Sequence, residues 1–265
     1  MNIFIRELKA NRKALIIWCI GVVFLVGSGM SKYAGMYSSG QSMNNLMADL
    51  PKSLQAMFGV GGLDLSKVSG YYGILFIYLL VMATIHAAML GSSILSKEER
   101  DKTSEFLMVK PVSRNQVLSA KLCAAIMNVI IFNVVMLVSS IGLVNPYAKG
   151  ENVIPDILLL MGGMFILQLL FLMLGMAIAA ISKHPKRAVS LSTGILLATF
   201  ILSMMIDISG QIDALKYVTP FKYFEAKQVM YGGGYDPVFV ILSVVIIAVS
   251  LFATYYFYNK RDLTV

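Results

Sequence analysis

The chain has 265 residues, of which 58% are hydrophobic and only 14% are charged, and its formal net charge is +8. Soluble domains carry about 25% charged residues, and a soluble chain of this length has too little interior to bury so much apolar surface. The composition therefore excludes a soluble globular protein, a disordered chain and a disulfide-rich secreted scaffold, and it predicts an integral membrane protein.

Charge-free apolar stretches locate six predicted membrane spans. A charge at the centre of a bilayer costs roughly 2.5–3.5 kcal/mol on insertion scales, and a helix needs roughly 20 residues to cross. The stretches are apolar on all sides and do not alternate, which favours helices over a β-barrel. The predicted fold class is an all-α integral membrane protein, a single transmembrane domain over residues 1–265 with six spans at about 14–31, 70–96, 118–144, 157–182, 188–206 and 237–258.

The distribution of Lys and Arg predicts the orientation of the chain. Fifteen of the 22 basic residues lie at the two termini and in or beside the connections between spans 2 and 3 and between spans 4 and 5. Basic residues collect on the cytoplasmic side, so both termini are predicted to be cytoplasmic. The net charge then reflects orientation and contact with anionic lipid, and no basic-aromatic pattern typical of nucleic-acid binding is present. The first span is expected to be retained, since no Ala-x-Ala-like cleavage site follows it.

Three stretches beside the first span have distinct patterns. Residues 2–13 combine four basic side chains with an apolar set, which favours an N-terminal interfacial elbow helix; the alternative is a plain basic flank. Residues 33–48 are rich in Ser, Gly, Asn and Gln and are predicted to form a loop. Apolar residues between 46 and 58 recur at near-helical spacing around Pro51, and they predict a short helix that ends at Gly59.

The segment 97–114, between spans 2 and 3, carries opposite charges followed by an apolar patch at residues 106–109. A plain connecting loop needs no apolar patch facing water. The segment is therefore predicted to contain a short cytoplasmic coupling helix that docks a partner; the alternative is a turn that skims the membrane. Ser113 and Gln116 have the spacing of a capping box, which predicts that the third span begins there.

The segment 207–236, before the last span, is long and rich in aromatic residues. Thr219 and Pro220 interrupt it, and three consecutive glycines, residues 232–234, end it. A solvated loop would not carry that many aromatic side chains. Two short helices at the outer interface are predicted, because aromatic residues prefer that position.

Polar side chains within the predicted spans are candidates for a transport pathway. The alternative is packing through hydrogen bonds between helices, which average about 0.6 kcal/mol. His86 is the most distinctive, since it lies beside a stripe of small residues that includes Gly91 and permits close approach of a second helix. The Cys and His residues are not clustered, which predicts no metal site. The pathway candidates are Thr84, His86, Asn128, Asn133 and Gln168.

Several segments together resemble the ABC-2 type transporter permeases, the membrane subunits of ABC exporters. The inner loop Glu98-Glu99…Thr103-Ser104-Glu105-Phe106-Leu107…Lys110-Pro111-Val112-Ser113-Arg114 looks like the cytoplasmic loop of that family. The stretch 217–224 with the glycines after it resembles the outer hairpin before their last span, and residues 6–9 and 258–265 resemble their termini. The resemblance covers the whole chain in order. One departure is Lys102, where many relatives have Gly.

The resemblance implies a transport subunit that is not itself an enzyme. Such a chain pairs with a second permease subunit, identical or related, and the pair docks two copies of a separate ATP-binding subunit. This chain contains no Gly-Lys pair and hence no Walker A loop, so ATP and Mg are expected on the partner and no cofactor on this chain. The implied function is export of an amphipathic or lipophilic cargo (peptide, antibiotic or lipid) through the cell membrane, expected to be a bacterial plasma membrane. The residues implied in ATPase docking are Glu98, Glu99, Thr103, Ser104, Glu105, Phe106, Leu107, Pro111 and Arg114.

Two other classes of function stay open from the residues alone. An ion-coupled secondary transporter would carry charged residues and broken helices at mid-membrane, often in repeated halves, and the predicted spans hold no mid-membrane carboxylate. An intramembrane enzyme would need a cluster of catalytic side chains, and His86 stands alone in the spans.

Overall fold

The computed structural model describes residues 3–38, 43–51, 54–55, 62–100, 113–148, 150–182, 184–209 and 212–260. These residues form helices, turns and short connections, and no strand occurs among them. Three 3₁₀ segments, Asn145–Tyr147, Asp213–Tyr217 and Pro220–Lys222, join the α-helices. The α-helices are α1 (Ile3–Ser38), α2 (Met43–Ala48), α3 (Val68–Arg100), α4 (Arg114–Val144), α5 (Ile154–Ile181), α6 (Pro185–Ser209), α7 (Ala226–Tyr231) and α8 (Pro237–Lys260).

Six of these helices, α1, α3, α4, α5, α6 and α8, are long and apolar enough to cross a membrane. They occur in the order and near the positions predicted from the gaps between charges, which confirms the all-helical class and the six candidate spans. The helices are longer than the charge-free stretches, because helical structure continues into the polar residues at their ends.

The first helix differs most from the sequence prediction. It runs without interruption from Ile3 to Ser38, a length of about 54 Å at 1.5 Å per residue, whereas a bilayer core is about 30 Å thick. The described part of the predicted elbow, residues 3–13, continues directly into the span and is not a separate helix. The predicted loop 33–48 is wrong over its described residues, which belong to α1 and α2.

The physical reason for the extension of α1 is Tyr33, which lies in the stretch predicted to be a loop. Tyr33 is 5% exposed, and its ring centroid lies 5.0 Å from that of Tyr71 and 6.5 Å from that of Tyr147. The Tyr33 hydroxyl donates to the carbonyl of Ser66 over 3.3 Å. Burial of one aromatic side chain thus outweighs the loop tendency of its Ser and Gly neighbours.

Helices α3 and α5 form the centre of the bundle and make its most extensive helix–helix contact. A Cβ atom on Gly91 would collide with the backbone oxygen of Leu172, and one on Gly175 would lie 2.6 Å from the oxygen of Ala88. The two backbones can therefore meet only because both positions are glycine. This confirms the prediction that the stripe around His86 permits close helix approach.

The other long helices surround this central pair. Helix α1 packs on α4, α6 packs on α3, and α8 packs on α5. Large apolar side chains on the periphery remain exposed, including Phe24 (75%) and Phe252 (72%). Apolar surface on this scale is unfavourable in water and is the expected surface of a helix bundle that faces lipid.

Candidate functional site

The two ends of the bundle carry different polar groups. The start of α1, the end of α3, the start of α4 and the end of α8 meet at one end, as contacts of Arg6 with Glu98 and of Arg114 with Asn259 show. We call this the terminal end. The opposite end, where α6 terminates and residues 212–236 lie, is called the hairpin end.

Most of the residues predicted to dock an ATPase lie outside the described residues: Thr103, Ser104, Glu105, Phe106, Leu107 and Pro111. The structure does describe where the chain leaves and re-enters the bundle on either side of them. The side chain of Ser113 accepts from the backbone N–H of Gln116 at 3.2 Å, and the side chain of Gln116 accepts from the N–H of Ser113 at 3.0 Å. The predicted capping box is thus confirmed, and α4 begins at Arg114.

Among the described residues, five charged side chains form a cluster at the terminal end, beside the points where the segment 101–112 leaves and re-enters the bundle. We call these residues, Arg6, Glu7, Lys97, Glu98 and Lys121, the terminal ion cluster. Glu7 pairs with Arg6 and Lys97, and Glu98 pairs with Arg6 and Lys121. Arg6 reaches both carboxylates over 3.1 Å. The cluster joins α1, α3 and α4 through their charged groups.

Three members of the terminal ion cluster, Glu7, Glu98 and Lys121, are buried, whereas Arg6 and Lys97 are partly exposed. The side chains of Glu7 and Lys121 are 0% and 1% exposed. Lys121 also donates to the carbonyl of Ile94 over 2.6 Å, so two acceptors on α3 hold its ammonium group. Removal of one partner from a buried ion pair costs about 3–5 kcal/mol, because the other charge is left without compensation.

Glu98 was predicted to face an ATPase, and the structure places it inside the terminal ion cluster with 7% of the residue exposed. The side chain of Glu99 is outside the described part of the chain. Sequence reasoning missed Glu7 and Lys121. The signal for Lys121 was available, since a lysine inside the predicted span 118–144 needs a partner.

Arg114 occupies the corner between the connection and α4. Its guanidinium donates to the carbonyl of Asn259 over 3.1 Å, and the Asn259 amide donates to the side chain of Asn115 over 2.7 Å. These bonds attach the start of α4 to the end of α8. The predicted docking segment is therefore flanked by the terminal ion cluster on one side and by this contact on the other.

The polar residues of the spans divide into two groups. The Thr84 hydroxyl donates to the carbonyl of Leu80 and the Asn128 amide to that of Ala124, each over 2.8 Å within its own helix. These bonds satisfy Thr84 and Asn128 inside their own helices and do not join two helices. Asn133 of α4 instead donates to Gln168 of α5 over 2.7 Å, a hydrogen bond between helices.

His86 lies in an aromatic layer between α1, α3 and α4. Its ring centroid is 5.5 Å from that of Trp18 and 4.6 Å from that of Phe132. Within the described part of the chain, His86 Nδ1 and Gln168 Nε2 are buried without a hydrogen-bond partner. His86 and Gln168 therefore keep polar hydrogen-bonding capacity inside the bundle, unlike Thr84 and Asn128.

The hairpin end is closed by residues 212–236, which fold back onto the bundle. The Thr219 hydroxyl donates to the carbonyl of Thr199 in α6 over 2.7 Å, and the Tyr235 hydroxyl donates to the carbonyl of Leu159 in α5. The Tyr223 ring stacks on that of Phe239 with centroids 4.9 Å apart. Short helices before the last span are thus confirmed, although the segment contains two 3₁₀ segments and one α-helix instead of two helices.

We call residues 212–236 the hairpin segment. A polar pocket of about 320 Å³ lies between the end of α6, the hairpin segment and the start of α8. Lys222 occupies its wall, and its ammonium group donates to the carboxylates of both Asp207 and Glu225. Burial alone would lower the pKa of Lys222, but the two carboxylates outweigh that effect and the pKa is raised. Burial raises the pKa of Glu225 as well, against the opposing effect of Lys222.

The fold and these sites define a multi-pass α-helical membrane protein with polar groups concentrated at its two ends and few in its interior. The model of the family described as ABC-2 family transporter protein matches residues 1–263. The chain belongs to this family, which supplies a membrane component of transport and is not itself catalytic. A comparison with curated proteins finds no match.

Proposed function

We propose that the chain is the permease subunit of an ATP-driven exporter, with a separate subunit that binds and hydrolyses ATP. The observation that carries the proposal, beside family membership, is the terminal ion cluster. The cluster ties the end of α3 to α1 and α4 immediately before the segment 101–112. A force applied to that segment reaches three helices together.

The mechanism follows from this connection. The ATP-binding subunit docks on the segment that contains Thr103, Ser104, Glu105, Phe106 and Leu107, and Pro111 and Arg114 fix the corner into α4. Closure of two ATP-binding subunits, each on one permease of a dimer, moves the terminal ends of α1, α3 and α4. Because α3 contacts α5 at glycine positions, the movement passes to the centre of the bundle.

The cargo is an amphipathic or lipophilic molecule such as a peptide, antibiotic or lipid, and it moves outward across the cell membrane. The composition of the described spans supports such a cargo, because few polar side chains lie among their packed aromatic and aliphatic residues. The N-terminal part of α1 lies at the inner interface, where its basic side chains contact anionic headgroups.

Co-purification from native membranes tests the proposal. The tagged full chain is expected to retain a protein with a Walker A loop, and the complex is expected to hydrolyse ATP. Phe106→Ala with Glu105→Lys should abolish retention, whereas Glu151→Gln, a carboxylate change in the connection between α4 and α5, should preserve it. Export that follows a proton gradient and needs no ATP would assign the chain to secondary transport and overturn the proposal.

A further inference from the structure

The charged side chains that line the pocket at the hairpin end determine which ligand charge it favours. Among the described side chains, its polar walls contain three carboxylates, Asp207, Glu225 and Asp236, and two amines, Lys216 and Lys222. A volume of about 320 Å³ lies at the lower end of the range for small-molecule sites, which is roughly 300–1,000 Å³. The pocket is therefore large enough for a charged group and the chain attached to it.

Exposure decides which charge an entering ligand meets. The side chains of Asp207 and Glu225 are 42% and 39% exposed, whereas the side chain of Lys222 is only 7% exposed. The ammonium group of Lys222 is covered and compensated by two carboxylates, so it offers little to an anion. Lys216 also lines the pocket, and its ammonium group lies 5.5 Å from the centre of the Tyr217 ring. Of the three groups in these ion pairs, the two carboxylates are therefore the ones that a ligand can contact.

The apolar side of the pocket is formed by Phe239 and Ile206. Phe239 is fixed, because the Tyr223 ring stacks on it and the centroid of the Tyr217 ring lies 5.7 Å away. Carboxylates beside a fixed aromatic face are suited to a cation that carries methylene groups, since the charge meets the carboxylates and the chain meets the ring. The ammonium group of Lys222 already binds to two of these carboxylates, which shows that they accept a primary ammonium group.

We propose that this pocket binds the primary ammonium group of an amphipathic molecule at the hairpin end of the permease. The assignment rests on the proposed function in one respect, that the bound molecule is the exported cargo. The ligand places its ammonium group against Asp207, Glu225 and Asp236 and its apolar chain against Phe239. Its charge competes with Lys222 for the two shared carboxylates, which loosens the contact between α6 and the hairpin segment.

Direct binding to the purified full chain in dodecyl maltoside micelles tests this site without any ATPase or transport. The probe is dansylcadaverine, which joins a fluorophore to a primary amine; N-pentyl dansylamide, without the amine, is the neutral match, and dansyl-aminohexanoate is the anionic match. Saturable binding of the amine is expected. The affinity for the neutral match should be weaker by about tenfold or more, because that compound lacks a charged hydrogen bond in a partly buried site.

Two pocket variants and one control make the test specific. Asp236→Asn keeps the acceptor that caps α8, where Asp236 accepts from the N–H of Val238 over 2.9 Å, and it leaves the Lys222 pairs intact. It should weaken the amine about tenfold, and Asp207→Asn with Glu225→Gln should weaken it further. Glu151→Gln, also at the hairpin end, should leave binding unchanged. A matching thermal unfolding midpoint verifies that each variant is folded.

Three results would overturn the assignment. The first is equal binding of the amine and its neutral match, and the second is unchanged binding of the amine to a folded Asp236→Asn variant. The third is preference for the anionic probe, which would show that the lysines of the pocket bind the ligand. Added lipid then identifies the source of the ammonium group. Displacement of the probe by phosphatidylethanolamine but not by phosphatidylglycerol would identify the natural ligand as a lipid headgroup. Displacement by neither lipid would identify it as a soluble amine. A negative result would not contradict ATP-driven export, because no step of the binding measurement involves the partner subunit.

Discussion

Lys121 of α4 donates to the carboxylate of Glu98 of α3, and neither residue is more than 7% exposed. The pair joins two helices on opposite sides of the proposed docking segment. Since Arg6 also contacts Glu98, the same carboxylate fixes the start of α1. One acidic side chain thus sets the spacing of three helices where a partner subunit is expected to act.

Replacement of Lys121 by Met should destabilise the protein by about 3 kcal/mol, because Glu98 loses the partner that compensates its buried charge. Arg6 remains and limits the loss. The measurement is the midpoint of thermal unfolding in micelles. Lys260→Met, which removes an exposed lysine at the same end of the bundle, should change the midpoint little. Adding Glu98→Gln to Lys121→Met should recover part of the loss, and a further decrease in the double variant would contradict the pairing.

Replacement of Glu7 by Gln should loosen the start of α1 while the remainder of the bundle stays folded. Glu7 is fully buried and pairs with both Arg6 and Lys97, so the neutral amide removes a carboxylate from each cation, and Arg6 keeps its pair with Glu98. Amide hydrogen exchange of residues 3–12 should become faster, and that of α5 should not change. Arg12→Gln, at an exposed position on the same helix, serves as the control. Uniformly faster exchange across α5 would show that the cluster stabilises the whole bundle and not the attachment of α1.

The contact between α3 and α5 depends on glycine, which a pair of substitutions tests. Gly91→Ala places a methyl group against the backbone oxygen of Leu172, which cannot move as a flexible side chain would. A loss of about 1–3 kcal/mol is expected from overpacking. Gly142→Ala in α4 meets no atom within 4 Å, so it should be neutral or slightly stabilising, since Ala is the better helix former. Equal unfolding midpoints for the two variants would show that α3 and α5 do not approach this closely.

The sequence predicts those features of the structure that depend on residues close together in the chain, and it does not predict those that depend on residues far apart. The spans follow from a local property, the avoidance of charge, and the Ser113 capping box from a spacing of three residues. The extension of α1 through Tyr33 depends on rings in α3 and beyond α4. The pairs of Glu98 with Lys121 and of Lys222 with Asp207 join different helices. Such pairs are set by the packing of helices, which neither hydropathy nor residue spacing specifies.

The pH dependence of the hairpin end should have a definite sign. The pKa of Glu225 is raised in the folded state, chiefly by burial, so the folded protein binds more protons than the unfolded chain at that site. Its contribution to stability is present below the unfolded pKa of about 4.3 and is lost as the pH rises through the raised value. Glu225→Gln removes this titration. The unfolding midpoint of the variant, measured relative to that of the original protein, should therefore rise as the pH increases from 4.

The contribution of Asp64 to stability should depend on pH in the opposite direction to that of Glu225. The hydrogen bond from the Asn44 side chain, 2.8 Å long, is the main cause of the lowered pKa of this carboxyl. Its stabilising contribution is present above the unfolded pKa of about 3.9 and is lost as the pH falls through the lowered value. Asp64→Asn should therefore approach the original protein in stability as the pH falls, while Glu225→Gln approaches or passes it as the pH rises. Parallel midpoint curves for all three proteins between pH 3 and 7 would contradict both assignments, because neither carboxyl would then differ between the folded and unfolded states.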